Sequence, residues 1–461
     1  MCNRCRVNIL VENDIPIRRE RIGVSMSTQL IKDLLNYLDE SVTAYHAVLT
    51  SERELIEHGF QRLHEEQSWD LNAGGKYYVI RDESALAAWQ MGNGTRSGIR
   101  MVGAHTDSPG LHLKPNPVKQ QAGYIQLGVE VYGGPLLASW TDRDLSLAGR
   151  VIVREGGQLQ VRPFRSDEVL LRVPQLAIHL NREVNEKGLI LNKQTHLPPI
   201  LALETKDGET VDAEIIRELL SRSTGIAVDD IVSWQLECYD THPARLSGLN
   251  QELIVSGRID NLSMCHAALN GLLTSTEERA QTSLIALFDN EEIGSSTSNG
   301  AASSFIRDVI HRILDSGEEK HELQTGLAES FCISADGAHA VHPNYKEYHD
   351  PEHAVQMNKG PVIKVNANHR YATSAKSAAV FEQLCGEVDV PVQHYVHRTD
   401  LPCGSTIGPI TATGLGIPVV DVGNAMLSMH SIRETTGSQD HEMMIKVLQR
   451  FFLKDSIYTT D

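Results

Sequence analysis

Short apolar runs that stop abruptly at His, Asp or Glu constrain this chain more than any other feature. Residues 100–104 run into His105-Thr106-Asp107, residues 283–288 into Asp289-Asn290-Glu291-Glu292, and residues 331–334 into Ala335-Asp336. Further runs at 361–365 and 418–422 alternate with helical stretches around 261–275 and 442–453. Strands this apolar need cover on both faces, so the spacing predicts an α/β layer around a buried, largely parallel sheet. An amphipathic helix begins near Met26, with Leu30, Ile31, Leu34, Leu35 and Leu38 on one face after Ser27 and Thr28. Between 115 and 240 the texture changes to alternating segments, such as 124–131 and 149–154, separated by Gly133-Gly134-Pro135 and Gly156-Gly157 turns. The expected organisation is a leader over 1–25, a first catalytic part over 26–114, an inserted β-rich domain over 115–240 and a second catalytic part over 241–461.

Composition removes several function classes. The net charge is -18, from 60 acidic against 42 basic side chains, and no basic patch interrupts it, so neither nucleic acid nor an anionic membrane is an expected partner. No apolar run has membrane-spanning length, and the longest in the leader, 9–11, is too short for a signal-peptide core. Cys2, Cys5, Cys238, Cys265, Cys332, Cys385 and Cys403 lack framework spacing, and Cys2-x-x-Cys5 has no second Cys/His pair to complete a metal site. Reduced thiols and a cytoplasmic location follow as expectations.

The polar motifs fall where open α/β sheets bind ligands, beyond the carboxyl ends of strands. His105-Thr106-Asp107, Asp260-Asn261, Asp289 to Ser295 (DNEEIGS), Asp336 and His430 converge there in principle. Imidazole and carboxylate suit zinc, and a two-metal hydrolase needs one carboxylate that can hold both ions roughly 3.5–4 Å apart. Asp260 is the bridging candidate. Of the adjacent Glu291 and Glu292, one serves as ligand and the other as general base, since neighbours beyond a strand point differently. Asp107 is placed to accept the other N–H of His105 and so fix its ring. Taken singly each signal is weak: His-x-Asp arises by chance, paired Glu is usually a solvated helix start, and an Asp before a helix is usually a cap. Their joint occurrence at strand ends, in apolar surroundings where unpaired charge is costly, outweighs those readings.

Over 26–452 the chain resembles the aspartyl aminopeptidase family of cocatalytic-zinc metallopeptidases. His105-Thr106-Asp107-Ser108-Pro109, 141–150 (TDRDLSLAGR), DNEEIGS, 334–345 (SADGAHAVHPNY), 402–410 (PCGSTIGPI) and 429–434 (MHSIRE) carry the likeness. The resemblance implies an α/β/α sandwich with a mixed central sheet plus an inserted β-rich dimerisation domain. It implies two zinc ions per subunit, one on His105, Asp260 and Asp336, the other on Asp260, Glu292 and His430, with Glu291 as general base. Manganese or cobalt are acceptable substitutes. It further implies release of N-terminal Asp or Glu from peptides with a free N-terminus, with Lys364 facing the acidic side chain and Tyr371 in the same site. The bland reading of Lys364 is a surface lysine on an edge strand. His179, otherwise a turn histidine, would reach a neighbouring subunit's site within a homo-oligomer, a tetrahedral dodecamer built from dimers. His339 and His342 are read as either supporting the ligands from behind or structural, because the ligand set is already complete without them. The chain departs from the family at 41–46, where prolines are favoured, and at His112, where arginine is common; 1–25 has no family counterpart.

Two competing functions remain at this level. The same ligands could serve a dimetal carboxypeptidase or N-acyl amino acid deacylase, which an acetylated substrate would separate. A metal-stabilised structural or cargo assembly with an idle site is the other, and Glu291 argues against it, because a purely structural site has no use for a base that is not a ligand.

Overall fold

The computed structural model describes residues 28–93, 98–204, 212–275, 277–315 and 321–457; the expected leader and the Cys2/Cys5 pair lie outside them. The described cysteines, Cys238, Cys265, Cys332, Cys385 and Cys403, are free thiols. Among the described residues no helix is long and apolar enough to cross a membrane.

The apolar runs become the middle of a nine-stranded mixed sheet. Thr282–Phe288, Ile99–His105, Phe331–Ala335 and Val419–Gly423 lie side by side in parallel. Each strand alternates between two layers, as its period of two requires. Val102, Ala104, Ile285, Leu287, Phe331 and Ile333 face helices that include Ile259–Thr274 and Asp440–Phe452, whereas Met101, Leu284, Ala286, Phe288 and Cys332 face Phe305–Leu314 and Ile407–Leu415. This is the α/β/α sandwich. Each fully buried Phe or Leu contributes about 1.5–3 kcal/mol relative to exposure. The sheet is less parallel than the apolar runs suggest, because Lys76–Arg81 and Ala85–Gln90 pair antiparallel beside Thr282–Phe288 and Val362–Val365 runs antiparallel to Val419–Gly423.

A second, six-stranded sheet is wholly antiparallel, in the order Gln158–Arg165, Leu145–Glu155, Ile231–Asp240, Gly110–Gln121, Tyr124–Tyr132, Ile200–Leu203. Its buried face gathers Leu127, Val129, Leu145, Leu147, Val151 and Val153 beneath Ile216 and Leu220 of the helix Glu214–Thr224. A five-stranded sheet then joins Leu253–Ser256, Glu434–Gly437 and Ala425–Leu427 at its centre. It carries the loop that holds His430.

Candidate metal centre

His105, the Glu291-Glu292 pair and Asp336 reach one crevice because the parallel strands before them end on the same side, and Asp260 and His430 meet them there from segments that follow strands of the five-stranded sheet. His105 is the last residue of Ile99–His105, and Thr106 anchors the turn through its Oγ1, which donates to Ser84 O at 2.8 Å. Glu291 and Glu292 sit on a single 3-10 turn, Glu291–Ile293, entered through Asn290 at φ 62° and left through Gly294 at φ 95°. Asp336 follows Phe331–Ala335, where the adjoining strand passes so close that a Cβ on Gly423 would lie 1.7 Å from the Asp336 carbonyl oxygen. Asp260 opens Ile259–Thr274 with non-helical angles, φ -80° and ψ 106°, which turn its carboxylate into the crevice rather than across the helix end. His430 stands at φ 67° in the loop before Glu434–Gly437.

The two oxygens of Asp260 face different histidines: Oδ1 lies 3.5 Å from His105 Nε2 and Oδ2 lies 3.6 Å from His430 Nε2. Asp336 Oδ1 is 3.8 Å from the same nitrogen of His105, and Glu292 Oε2 is 3.2 Å from His430 Nε2. Asp107 lies beneath them as a hub. Its carboxylate accepts the backbone N–H of Glu291 and of Glu292, each at 3.1 Å, and the Tyr132 hydroxyl at 2.7 Å. His105 Nδ1 meets the Asp107 backbone carbonyl at 3.0 Å and its carboxylate at 3.3 Å, so the ring is held by both. With its acceptors engaged, Asp107 orients the ligand and the glutamate turn.

The electrostatics describe carboxylates crowded out of water. Burial pushes Glu291 up to about 8; His105 pulls against this, while Asp336 and Glu292 add to it. Burial likewise raises Glu292 to about 7 against the hydrogen bond from His430. His430 is disfavoured as a cation by burial, yet its bond to Glu292 and the nearby Asp260 carry it up to about 10. Burial opposes the Asp336 anion, but the Lys364 ammonium and then His105 hold it well below the usual carboxylate range. Asp260 Oδ1 and Glu292 Oε1 are buried and accept no hydrogen bond from the protein. Ligand atoms of His105, Asp260 and Glu292 lie within 4.8 Å of one another. Imidazole nitrogens, carboxylate oxygens and unsatisfied acceptors in this spacing fit zinc.

The crevice has a volume of about 430 Å³ and is lined by Glu291, His339, Lys364, Tyr371, Thr406 and Met429 as well as the residues above. Lys364 is 2% exposed on a strand between two others, which rules out the surface lysine on an edge. Its Nζ donates to Gly337 O at 3.0 Å, lies 3.5 Å from Asp336 Oδ2 and sits 5.2 Å from the centre of the Tyr371 ring. His179 does not join this crevice in its own chain; it is exposed in a turn of the second-sheet region. Sequence reasoning gave no role to Tyr132, Ser108 or Glu434. Ser108 Oγ donates to the Asp260 carbonyl at 2.8 Å, and Glu434 accepts the backbone N–H of both Asp260 and His430. Glu434 lay within the quoted MHSIRE motif, and a carboxylate there without a ligand role was the available signal.

A family model described as Aminopeptidase I zinc metalloprotease (M18) matches residues 37–452. A probable M18 family aminopeptidase 2 of Ectopseudomonas mendocina is 45% identical over 430 residues, covering 93% of this chain and 99% of that protein. Among solved structures, the Ape4 and Nbr1 complex contains a chain with TM-score 0.89 and 38% identity, over 92% of this chain and 85% of that one. The S. cerevisiae mApe1 dodecamer matches with TM-score 0.80 and 27% identity, over 92% and 96%. On the family-model match and these identities, the chain belongs to the M18 family of zinc metalloaminopeptidases.

Proposed function

We propose that the chain removes an N-terminal aspartate or glutamate from peptides at a site for two zinc ions, one held by His105, Asp260 and Asp336 and the other by Asp260, Glu292 and His430. Asp260 carries the reading, because its two oxygens each face a different histidine. When bound, the ions supply Lewis acidity to a water and to the scissile carbonyl. Glu291, on the same turn as Glu292 but with no histidine partner, takes a proton from the attacking water and delivers it to the departing amine nitrogen. Asp107 keeps that turn and the His105 ring in place. Manganese or cobalt would occupy the same donors.

Acidic specificity rests on Lys364. An ammonium has three donors; one is spent on Gly337 O and one is aimed at Asp336, leaving the third for a substrate carboxylate beside Tyr371. The six-stranded sheet is read as the inserted dimerisation domain of 115–240. The likeness to a dodecameric yeast protein supports further assembly of this chain, and the exposed His179 is the residue we would place in a neighbour's crevice.

The test is hydrolysis by the zinc-reconstituted protein of peptides that differ only at residue one, with free and acetylated amines, for wild type and Lys364→Ala. Acid-selective cleavage that needs the free amine and is lost in the variant is expected. Equal cleavage of neutral peptides by both proteins would discard the acidic pocket and keep the aminopeptidase, and cleavage of acetylated substrates alone would move the chain to the deacylases.

A further inference from the structure

The loop that carries His430 is fastened at its far end, where the Ile432 N–H donates to Ser139 Oγ at 3.0 Å and the Arg433 guanidinium donates to the His242, Pro243 and Val255 carbonyls, but these bonds do not reach the His430 N–H. The loop links two short strands, Ala425–Leu427 and Glu434–Gly437, and both Ser428 (φ 57°) and His430 (φ 67°) adopt the left-handed region without being glycine. Such conformations cost about 1–3 kcal/mol each and persist only where the surroundings over-determine them. Asp260, on the opposite wall, is also outside helical geometry at a helix start that has no side-chain cap. Both backbones therefore need an external partner.

Glu434 supplies one to each. Its side chain is part of a residue 1% exposed, and its strand pairs directly with Leu253–Ser256, with Glu434 opposite Ser256, so the carboxylate rises from the interior of a sheet rather than from a loop. Oε2 accepts the Asp260 N–H at 2.9 Å and Oε1 accepts the His430 N–H at 2.7 Å. These are the two residues whose side chains face each other across the proposed second zinc position, at 3.6 Å. A carboxylate is suited to this because both of its oxygens accept, whereas an amide offers one acceptor and one donor that would oppose a backbone N–H.

We infer that Glu434 is a positioning residue that clamps the backbones of Asp260 and His430 and thereby sets the spacing of the zinc position formed by Asp260, Glu292 and His430 before any metal arrives. The inference rests on the two-zinc reading. Glu434 does not line the crevice, so it acts through the residues it holds. Other contacts, from the Leu136 N–H to His430 O at 2.9 Å, between His430 Nδ1 and Gly134 O at 3.1 Å, and from Ile432 and Arg433 to Ser139 and the 242–255 backbone, hold the rest of the loop, while the His430 N–H itself is accepted by Glu434.

The experiment is zinc titration of the metal-free protein by calorimetry, wild type against Glu434→Gln, with amide hydrogen exchange of the 428–433 segment in both metal-free forms. The variant should bind one of its two zinc ions roughly 10–100-fold more weakly, the usual scale for losing a partner behind the ligands. Excess zinc should restore much of its kcat, and exchange at 428–433 should speed up while the segment is already protected in metal-free wild type. Wild-type affinity at both steps in Glu434→Gln would overturn the clamp, and so would free exchange of 428–433 in the metal-free wild type, a measurement that needs no variant to fold. Failure of the two-zinc reading is separate: it appears as a single zinc per chain in the wild-type titration, while the clamp is still judged by exchange at 428–433.

Discussion

The nine-stranded and six-stranded sheets use similar apolar residues to opposite ends. The central sheet hides both faces, and its strand ends gather His105, Glu291, Glu292 and Asp336. The antiparallel sheet packs its apolar side chains into one buried cluster, and the segment between its strands turns apolar side chains outward, with Leu176 62%, Ile178 46%, Leu180 75% and Ile190 82% exposed. Burial on both sides supplies the rigidity that holds charges against each other. Apolar side chains left in water make this segment the candidate surface for contact with another chain.

The comparison breaks if chemistry is not confined to the first region. Glu291→Gln should lower kcat by about 10²–10⁴-fold with zinc content unchanged, the scale for losing a general base; normal turnover with metal bound would remove Glu291 from its role. Next in size, Phe331→Ala in the central sheet should cost about 3–5 kcal/mol, read as a fall in denaturation midpoint at constant slope. A loss below about 1 kcal/mol would mean that the layer can collapse around the cavity. Removing zinc with a chelator should abolish activity and lower stability by about 2.7 kcal/mol for each ion removed, relative to protein held at a hundredfold excess over Kd. Amide exchange should then rise around 289–295 and 336–337 and stay unchanged in Leu145–Glu155, and an equal rise in both sheets would erase the distinction. The smallest effect on subunit stability is expected from Leu180→Asp, within about 0.5 kcal/mol for an exposed site, while sedimentation should show smaller assemblies. Unaltered assembly size would leave the exposed segment without its proposed partner.

Much of this was legible in the chain. Residues 100–104, 283–288 and 331–334 declared themselves as strands because burial on both faces demands unbroken apolar runs, and the change of texture after 115 reported a half-buried sheet. The extent of mixing was not legible, since Lys76–Arg81 and Ala85–Gln90 read equally well as parallel or antiparallel; strand direction depends on connections, not on side-chain period. Lys364 also stayed open between surface and crevice, because a single charge among Val362, Ile363 and Val365 fits either an edge or a desolvated position.

The sequence by itself nominated His105, Asp260, Glu292, Asp336 and His430 as the donor set proposed for zinc and determined the layered fold that carries them, because ligand chemistry and apolar periodicity are properties of residue type and spacing. Only the tertiary structure decided that the oxygens of Asp260 face two different histidines, that Asp107 accepts both N–H groups of the glutamate turn, and that Glu434 joins the backbones of Asp260 and His430, which its bonds reach across 174 and 4 residues of chain. Those are facts of direction and distance. Hydrogen bonds and metal coordination depend on both to within tenths of an ångström, and spacing along a chain does not encode them.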